Sequence, residues 1–439
     1  MMKNNTALHL CVIAGLILLA AQLSLFALLM YPYNKHSVLP LDDIMGIVNI
    51  TSKLHLSLLA IDNHILHQYL NHRNDKNVCI LCDATYPLTF AVLFRGLKHN
   101  ENLLSMFEEA GYKTFLMYNS NPTESPQGLA PNIPLCYLLK RKVVVHLVLF
   151  HEREGNFWWH GDVHSDPDAM DHLSLLGLSI HKLQLMKHEG AFEKFESEQA
   201  AIDNIPFLIP KDIVSFLRDA ASSRYIECSH KTADIFHKKF GKDTTHEALK
   251  FKHRAWKLLS RAKTLLDKLG VRFWLSSGTC LGYFRQCDII PYSRDVDIGI
   301  FITDYNEQIL SEFIAHGFTL KHWFGRVNDS LELSFMSNDI KLDIFFFYEE
   351  DYWVWNGGTQ ARTGKKFKYK FPRFSLCWTE FLELKVRVPC ELRAYIEANY
   401  GSEWFTPVSQ WDWKSSPPNV QENGVWHREE WPHVIQVYN

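Results

Sequence analysis

Three aspartates and one small-residue loop stand out in this 439-residue chain as groups whose types and spacing could do chemistry. Asp295 and Asp297 flank Val296, and residues i and i+2 of a strand point to the same side, so their carboxylates converge. Two such acids repel unless a cation joins them, and hard oxygen ligands suit Mg²⁺ or Mn²⁺. A third acid, Asp343, stands between Leu342 and Ile344 in an otherwise apolar run, where an ionised carboxylate is expensive unless paired or metal-bound. Upstream, Ser276, Ser277, Gly278 and Thr279 close a strand-like segment at 271–275 and open a helix. Small residues there let backbone N–H groups approach phosphate oxygens, and a helix N-terminus favours anions. A lone Asp-x-Asp usually marks a solvated turn; loop, paired acids and strand-borne third acid, in that order, are far more specific. The expected arrangement is a divalent cation held by Asp295, Asp297 and Asp343, the candidate catalytic residues, beside phosphate cradled by Ser277, Gly278 and Thr279.

Other groups have weaker claims. Arg285, between the loop and the acids, is a phosphate candidate, with a structural salt bridge as the competing role. Residues 362–373 carry Arg362, Lys365, Lys366, Lys368, Lys370 and Arg373 without one acid. They read as a mobile basic loop in which Lys365, Lys366 and Lys368 grip phosphate, or as a solvated cationic face. His160, Asp162, His164 and Asp166 mimic metal ligands but sit in a turn-rich segment and read as a solvated loop. Trp404, Trp411 and Trp413 fit either stacking on sugar or base, or core packing. Cys79-x-x-Cys82 lacks a second such pair for zinc and reads as a disulfide or buried thiols.

The elements that must position these groups follow from pattern. Alternating helical and strand-like segments predict an α/β body with a mixed α+β sheet. The spacing predicts a helix over 245–269 closed by Gly270, a strand at 271–275, and a hairpin of 331–335 and 342–347 turning at Ser337, Asn338 and Asp339. The first half carries parallel patterns: 88–94 matches 295–301, 145–152 matches 342–349, and Ile209-Pro210 matches Val388-Pro389. This predicts an N-terminal α/β domain that is a degenerate copy of the second, with Leu88, Phe90 and His146 standing where the second half has its acids. Coincidence among common patterns is the alternative, and strand order decides between them.

Composition narrows the class. With 46 Lys+Arg against 49 Asp+Glu, a net charge of −3 argues against a general nucleic-acid binder, and 47% hydrophobic residues argue against disorder. Residues 10–30 are uncharged and long enough to span a bilayer, and Tyr31 and Tyr33 follow at interfacial depth. The expected organisation is a cytoplasmic tail at 1–7, a type II signal anchor at 8–30, a stem at 31–50, a non-catalytic luminal domain at 51–240 and a catalytic domain at 241–439. In that topology Asn49 and Asn328, each in an Asn-x-Ser/Thr triplet, are glycosylation acceptors, and the lumen permits disulfides.

The loop at 276–282, Arg285, Ile290-Pro291 and the paired acids resemble the LicD family of phosphoryl-alcohol transferases, which has a nucleotidyltransferase fold. Val388-Pro389, Tyr400-Gly401, Trp404 and Pro407 resemble that family's closing segment. Phe150 to Arg153 and Trp411 to Trp413 extend the resemblance to its branch acting on α-dystroglycan. The resemblance implies a Golgi membrane enzyme, a transferase of phosphorus-containing groups. It would move ribitol 5-phosphate from CDP-ribitol to the phosphorylated O-mannosyl glycan of α-dystroglycan with Mg²⁺ or Mn²⁺. It also implies complexes with glycan-processing enzymes such as fukutin-related protein. Ser293-Arg294 stands where family members often extend the acidic run. Two other readings remain open: a Golgi glycosyltransferase that holds a sugar nucleotide at its Asp-x-Asp, and a non-catalytic scaffold for glycan-processing partners.

Overall fold

The computed structural model describes residues 41–73, 75, 78–82, 88–94, 103–117, 135–140, 143–161, 188–408 and 410–438. The expected tail and anchor at 1–30 lie outside them, as do Asp162, His164 and Asp166. Among the described residues no helix is long and apolar enough to cross a membrane.

The expected stem is shorter than 31–50. Ile44, Ile47, Val48 and Thr51 recur at helical spacing, and helix α1 (Leu41–Lys53) buries that stripe in the first hydrophobic core, so its residues belong to the folded body. The chain continues through β1 (Leu58–Ala60), α2 (Asn63–His72), β2 (Leu88–Phe94), α3 (Leu103–Glu109), β3 (Lys113–Met117), β4 (Leu135–Lys140) and β5 (Val143–Arg153). Then come β6 (Phe157–His160), β7 (Gly190–Glu193), β8 (Ser197–Ile202), β9 (Ile205–Pro210) and α4 (Ile213–Ala221). The strands form one sheet in the order β3-β4-β5-β2-β1-β9-β8, with β6 and β7 branching from β5.

Helices α5 (His230–Phe240) and α6 (His246–Lys268) lead into the second body. The α6 helix follows the predicted span: Thr245 caps it by accepting from the Ala248 N–H, and Gly270 takes positive φ after Leu269. Its apolar face, including Leu258, Leu259, Leu265 and Leu266, packs into the second core. Next are β10 (Phe273–Leu275), α7 (Ser277–Gln286), β11 (Asp295–Phe301), α8 (Gln308–Ala315), β12 (Thr319–Arg326), β13 (Asp329–Ser337) and β14 (Ile340–Glu349). They are followed by β15 (Trp353–Gln360), β16 (Lys365–Pro372), β17 (Leu376–Phe381), β18 (Leu384–Pro389), α9 (Leu392–Tyr400), β19 (Val420–Val425), α10 (Trp431–Val434) and β20 (Ile435–Val437). The second sheet runs β19-β16-β15-β14-β13-β12-β20, with β11 parallel to β14 and antiparallel to β10. The predicted hairpin is β13–β14, turning through Asn338 and Asp339, both at positive φ.

Strand order answers the repeat question. In each half a short strand pairs antiparallel with the next (β1·β2, β10·β11), and that one pairs parallel with a later long strand (β2·β5, β11·β14). The long strand closes an antiparallel meander (β3·β4·β5, β12·β13·β14), and its far end pairs with the strand that follows (β5·β6, β14·β15). An antiparallel hairpin and a helix follow in both halves (β8·β9 and α4, β17·β18 and α9). The halves share this connectivity, but β8·β9 joins the first sheet through β1 whereas β17·β18 is a separate two-stranded sheet, and β19, α10 and β20 are added in the second half. The register shifts the expected equivalences by one residue: Thr89 pairs with His146 as Asp297 pairs with Asp343. His146 keeps its assignment. Leu88 and Phe90 instead belong to the opposite face, where Phe90 stacks on Phe207 at 4.9 Å, because a one-residue slip inverts every side chain of a strand.

The connecting segment joins the halves as an added strand. Tyr225 bridges to Trp378 of β17, Arg224 bridges to Gly190 of β7, and Cys228 forms a disulfide with Cys287 at the end of α7. Arg153 reaches from β5 to Glu227 at 2.8 Å and to Glu380 of β17 at 3.2 Å. Cys79–Cys82 and Cys377–Cys390 are also disulfides, while Cys280 is free and buried.

Candidate active site

The second sheet presents one polar face. Alternation on β11 turns Val296 and Ile298 into the core and sends Asp295 and Asp297 to the other side. Parallel pairing then sets Asp297 beside Asp343, so carboxylate oxygens of Asp295, Asp297 and Asp343 lie within 4.8 Å of one another. Gly299, farther along β11, faces the ring of Trp274; a β-carbon there would come within 2.4 Å of it, so glycine is what lets the strand pack this closely.

Each acid is held. Ser293 donates to Asp295 Oδ1 at 2.7 Å, Ser334 of β13 donates to Asp343 Oδ1 at 2.5 Å, and the Lys341 ammonium lies 2.7 Å from Asp343 Oδ2. The Gly278 N–H donates to Asp297 Oδ2 at 3.0 Å, and the Asp297 N–H donates to Thr279 Oγ1 at 2.8 Å. The loop at 276–279 therefore grips Asp297 directly. Ser277 and Gly278 line the cavity at the start of α7, with Ser277 at a φ of 40°, whereas Thr279 is buried and positions the acid. Burial raises the Asp297 pKa well above the usual carboxylate range, and the charges of Asp295 and Asp343 push it further. Burial also raises Asp343, against the pull of Lys341. Burial works against the Lys341 ammonium, but Asp343, Asp295 and Asp297 outweigh it and hold its pKa above the ordinary value.

These acids sit at one end of a cavity of about 540 Å³. Glu332 of β13, His322 of β12 and Asn356 of β15 line the same space. Burial first, and then Asp343, push Glu332 up to about 8. Lys341 and Glu332 were not picked out in the sequence, although each has a signal: Lys341 shares Asp343's face at i−2, and Glu332 alternates with Ser334 on the neighbouring strand. The rest of the lining is largely aromatic, with Tyr369, Phe371, Tyr400, Trp404, Trp411 and Trp413. These tryptophans both line the cavity and pack: Trp404 on Phe284 at 4.7 Å, Trp411 on Tyr400 at 4.9 Å, Trp413 on Phe367 at 5.3 Å.

Arg285 is buried and lines the cavity. Lys365, Lys366 and Lys368 do not. The basic run is strand β16 rather than a mobile loop, and its alternation turns Phe367, Tyr369 and Phe371 inward, putting Lys366 and Lys368 on the reverse face. There Lys366 pairs with Asp329 and lies over Trp426, and Lys368 pairs with Glu350 and lies over Trp355; Lys365, at the start of the strand on the Phe367 side, pairs with Glu422 of β19. His160 is buried against Phe150 and Phe192, not a solvated ligand. Asn328 is exposed in the β12–β13 turn; Asn49 is exposed on α1, with the Thr51 hydroxyl turned into the helix onto Ile47 and Val48 carbonyls.

Three carboxylates converging from adjacent strands, two of them nearly solvent-free, form an oxygen donor set that fits a hard divalent cation. Comparison with known proteins agrees with that chemistry. Residues 42–256 match the family described as Fukutin N-terminal, and residues 270–391 match LicD/FKTN/FKRP, nucleotidyltransferase domain. The chain is 48% identical over 369 residues to the Homo sapiens ribitol-5-phosphate transferase FKTN, covering 83% of this chain and 78% of that protein. The Mus musculus protein of that name is 49% identical over 366 residues, covering 82% and 77%. A 40-residue stretch is 50% identical to Mus musculus ribitol 5-phosphate transferase FKRP, covering 9% and 8%.

Proposed function

The chain belongs to the LicD/FKTN/FKRP family, with a fukutin-type first half ahead of the nucleotidyltransferase domain, and on that premise we propose that it is a ribitol-5-phosphate transferase. The observation that carries this reading is the convergence of Asp295, Asp297 and Asp343 beside the Ser277-Gly278 turn at the end of one cavity. The donor is CDP-ribitol, and the acceptor is a hydroxyl of the phosphorylated O-mannosyl glycan of α-dystroglycan. The acceptor oxygen forms a bond to the phosphorus that bears ribitol, the bond from that phosphorus to the bridging oxygen breaks, and CMP leaves.

Asp295, Asp297 and Asp343 would hold Mg²⁺ or Mn²⁺. When bound, such an ion neutralises the diphosphate and the charge growing on the leaving group. The chain's own groups do the rest. Thr279 and Gly278 hold Asp297, Ser293 holds Asp295, and Ser334 and Lys341 hold Asp343, so the cluster is organised before substrate arrives. Ser334 and Lys341, one on each Asp343 oxygen, fix the place of that carboxylate in the cluster. Of the two further carboxyls lining the cavity, Glu332 and the exposed Glu403, Glu332 is the one that burial pushes up to about 8, suited to taking the acceptor's proton. The aromatic lining holds the donor's base and sugar faces.

Catalysis in this reading belongs to residues 241–439, and the earlier half is a non-catalytic copy. The uncharged run at 10–30 supports a type II Golgi anchor at 8–30 with the body luminal, a setting in which three disulfides persist and Asn49 and Asn328 accept glycans. Association with fukutin-related protein would place consecutive transfers side by side.

Mass analysis of the leaving nucleotide tests the reading. Purified protein with CDP-ribitol, glycan acceptor and Mn²⁺ is expected to release CMP and add ribitol phosphate to the acceptor. Release of a nucleoside diphosphate from a sugar nucleotide would establish the glycosyltransferase reading instead.

A further inference from the structure

Arg285 is 2% exposed, lines the cavity and has no ion-pair partner among the described residues. Its guanidinium lies 4.6 Å from the ring centre of Phe236 on α5. It donates to Gln286 Oε1 at 3.0 Å and, at the long distance of 3.5 Å, to the Tyr292 hydroxyl; its buried Nε–H has no partner. A buried cation left without an anion is costly, and a guanidinium fork matches phosphate oxygens. Lys341, the other strong cation lining the cavity, is already neutralised by Asp343. Arg285 is thus the cavity's uncompensated positive charge.

Its position says which anion it meets. Arg285 follows Gly278 by seven residues on α7, about 10 Å along the axis at 1.5 Å per residue. The bond to Gln286 holds the guanidinium, and the longer one to Tyr292 leaves that hydroxyl room to turn. The acids, with the cation they would hold, and Lys341 already answer the charge of a diphosphate, which leaves Arg285 for a separate phosphate ester. We propose that Arg285, with the Tyr292 hydroxyl, forms a second anion subsite of the cavity, which takes a phosphate ester carried by the acceptor rather than the donor's diphosphate. Tyr292 is 60% exposed and loosely bonded, so it yields to an incoming phosphate. The assignment to the acceptor rests on the function proposed above; the existence of the subsite does not.

The test uses inorganic phosphate and full-length protein in EDTA. By calorimetry, wild type and Asp297→Asn are expected to bind phosphate alike, with at least tenfold loss in Arg285→Gln and a smaller loss in Arg285→Lys. Hydrogen exchange on wild type needs no variant to fold: phosphate is expected to protect 283–292 and not 276–279. Phosphate binding that requires metal, or protection confined to 276–279, overturns the proposal. With a working transfer assay, Arg285→Gln is expected to raise KM for the phosphorylated acceptor at least tenfold, leaving the KM for phosphatase-treated acceptor and for CDP-ribitol unchanged. A rise in the CDP-ribitol KM alone overturns the acceptor assignment. If wild type transfers nothing, the functional reading fails while the phosphate titration still decides the subsite.

Discussion

The two halves of this molecule fold the same way and do opposite things with the same two strand positions. Where β11 and β14 set Asp297 against Asp343, β2 and β5 set Thr89 against His146. Lys341, which neutralises Asp343, has its register counterpart in Val144, and cavity-lining Asn356 has its counterpart in His160. The first half has filled its site with groups that are neutral when buried; the second keeps charges that repel one another and need a cation. Under the function proposed above, a shared connectivity would carry no chemistry by itself, and a few inward-facing side chains would decide it. What the first half retains is a docking surface, through Arg153, Lys385 with Glu193, and the strand at 224–226.

The comparison breaks most sharply at the acids. Asp297→Asn is expected to fold, to lose Mn²⁺ affinity by electron spin resonance, and to lower kcat about 10³-fold, whereas His146→Gln leaves turnover per folded molecule within about twofold. Comparable loss from both would mean that the first half is catalytic. The docking role comes next. Arg153→Met leaves Glu227 and Glu380 facing each other, an expected cost of about 2 kcal/mol for a partly exposed cluster. Calorimetry should then resolve two melting transitions, and one unchanged transition would remove Arg153 from the interface argument. Thr279→Val deletes the bond that orients Asp297 and is expected to reduce kcat about tenfold with donor KM little changed; Thr279→Ser restores the rate.

Opposite pH responses sharpen the comparison further. His146 and His160 are held neutral by burial, at about 3 and about 4. Their contribution is complete above the unfolded histidine value of about 6.5 and is lost as pH falls toward those folded values. Asp297 and Glu332 are raised, so in metal-free protein their contribution is complete below the unfolded carboxylate range, near 4, and fades as pH rises toward about 8 for Glu332. Hydrogen exchange in EDTA is expected to show the first half loosening at pH 5 and the second at pH 8.5, with Mn²⁺ reversing only the latter. The smallest effect is expected at Lys368→Ala, less than about twofold in donor KM, because Lys368 lies behind the sheet. A tenfold rise there would move the phosphate site out of the cavity.

Much of the site was legible in the chain. Asp295, Asp297 and Asp343 announce themselves because charge at i, i+2 and charge inside an apolar strand are both costly without a cation. The α6 helix and the β13–β14 hairpin follow from spacing and turn residues alone. The repeat was visible too, but its register was not, since apolar strands such as 88–94 read alike when shifted by one. The lysines misled for a related reason: 365–370 looks uniformly basic, yet Phe367 and Tyr369 between them decide which face the charges take. Residues 41–50 looked featureless as a stem because the apolar stripe of α1 is short.

Sequence by itself determined which residue types are present and which local elements they favour, because propensity, turn chemistry and the cost of buried charge act over a few residues. Tertiary structure alone decided that Lys341 and Glu332 join the acids, that Lys366 and Lys368 leave them, and that Arg285 stands uncompensated. Those outcomes depend on pairing between strands far apart in the chain, where a shift of one residue exchanges solvent for cavity.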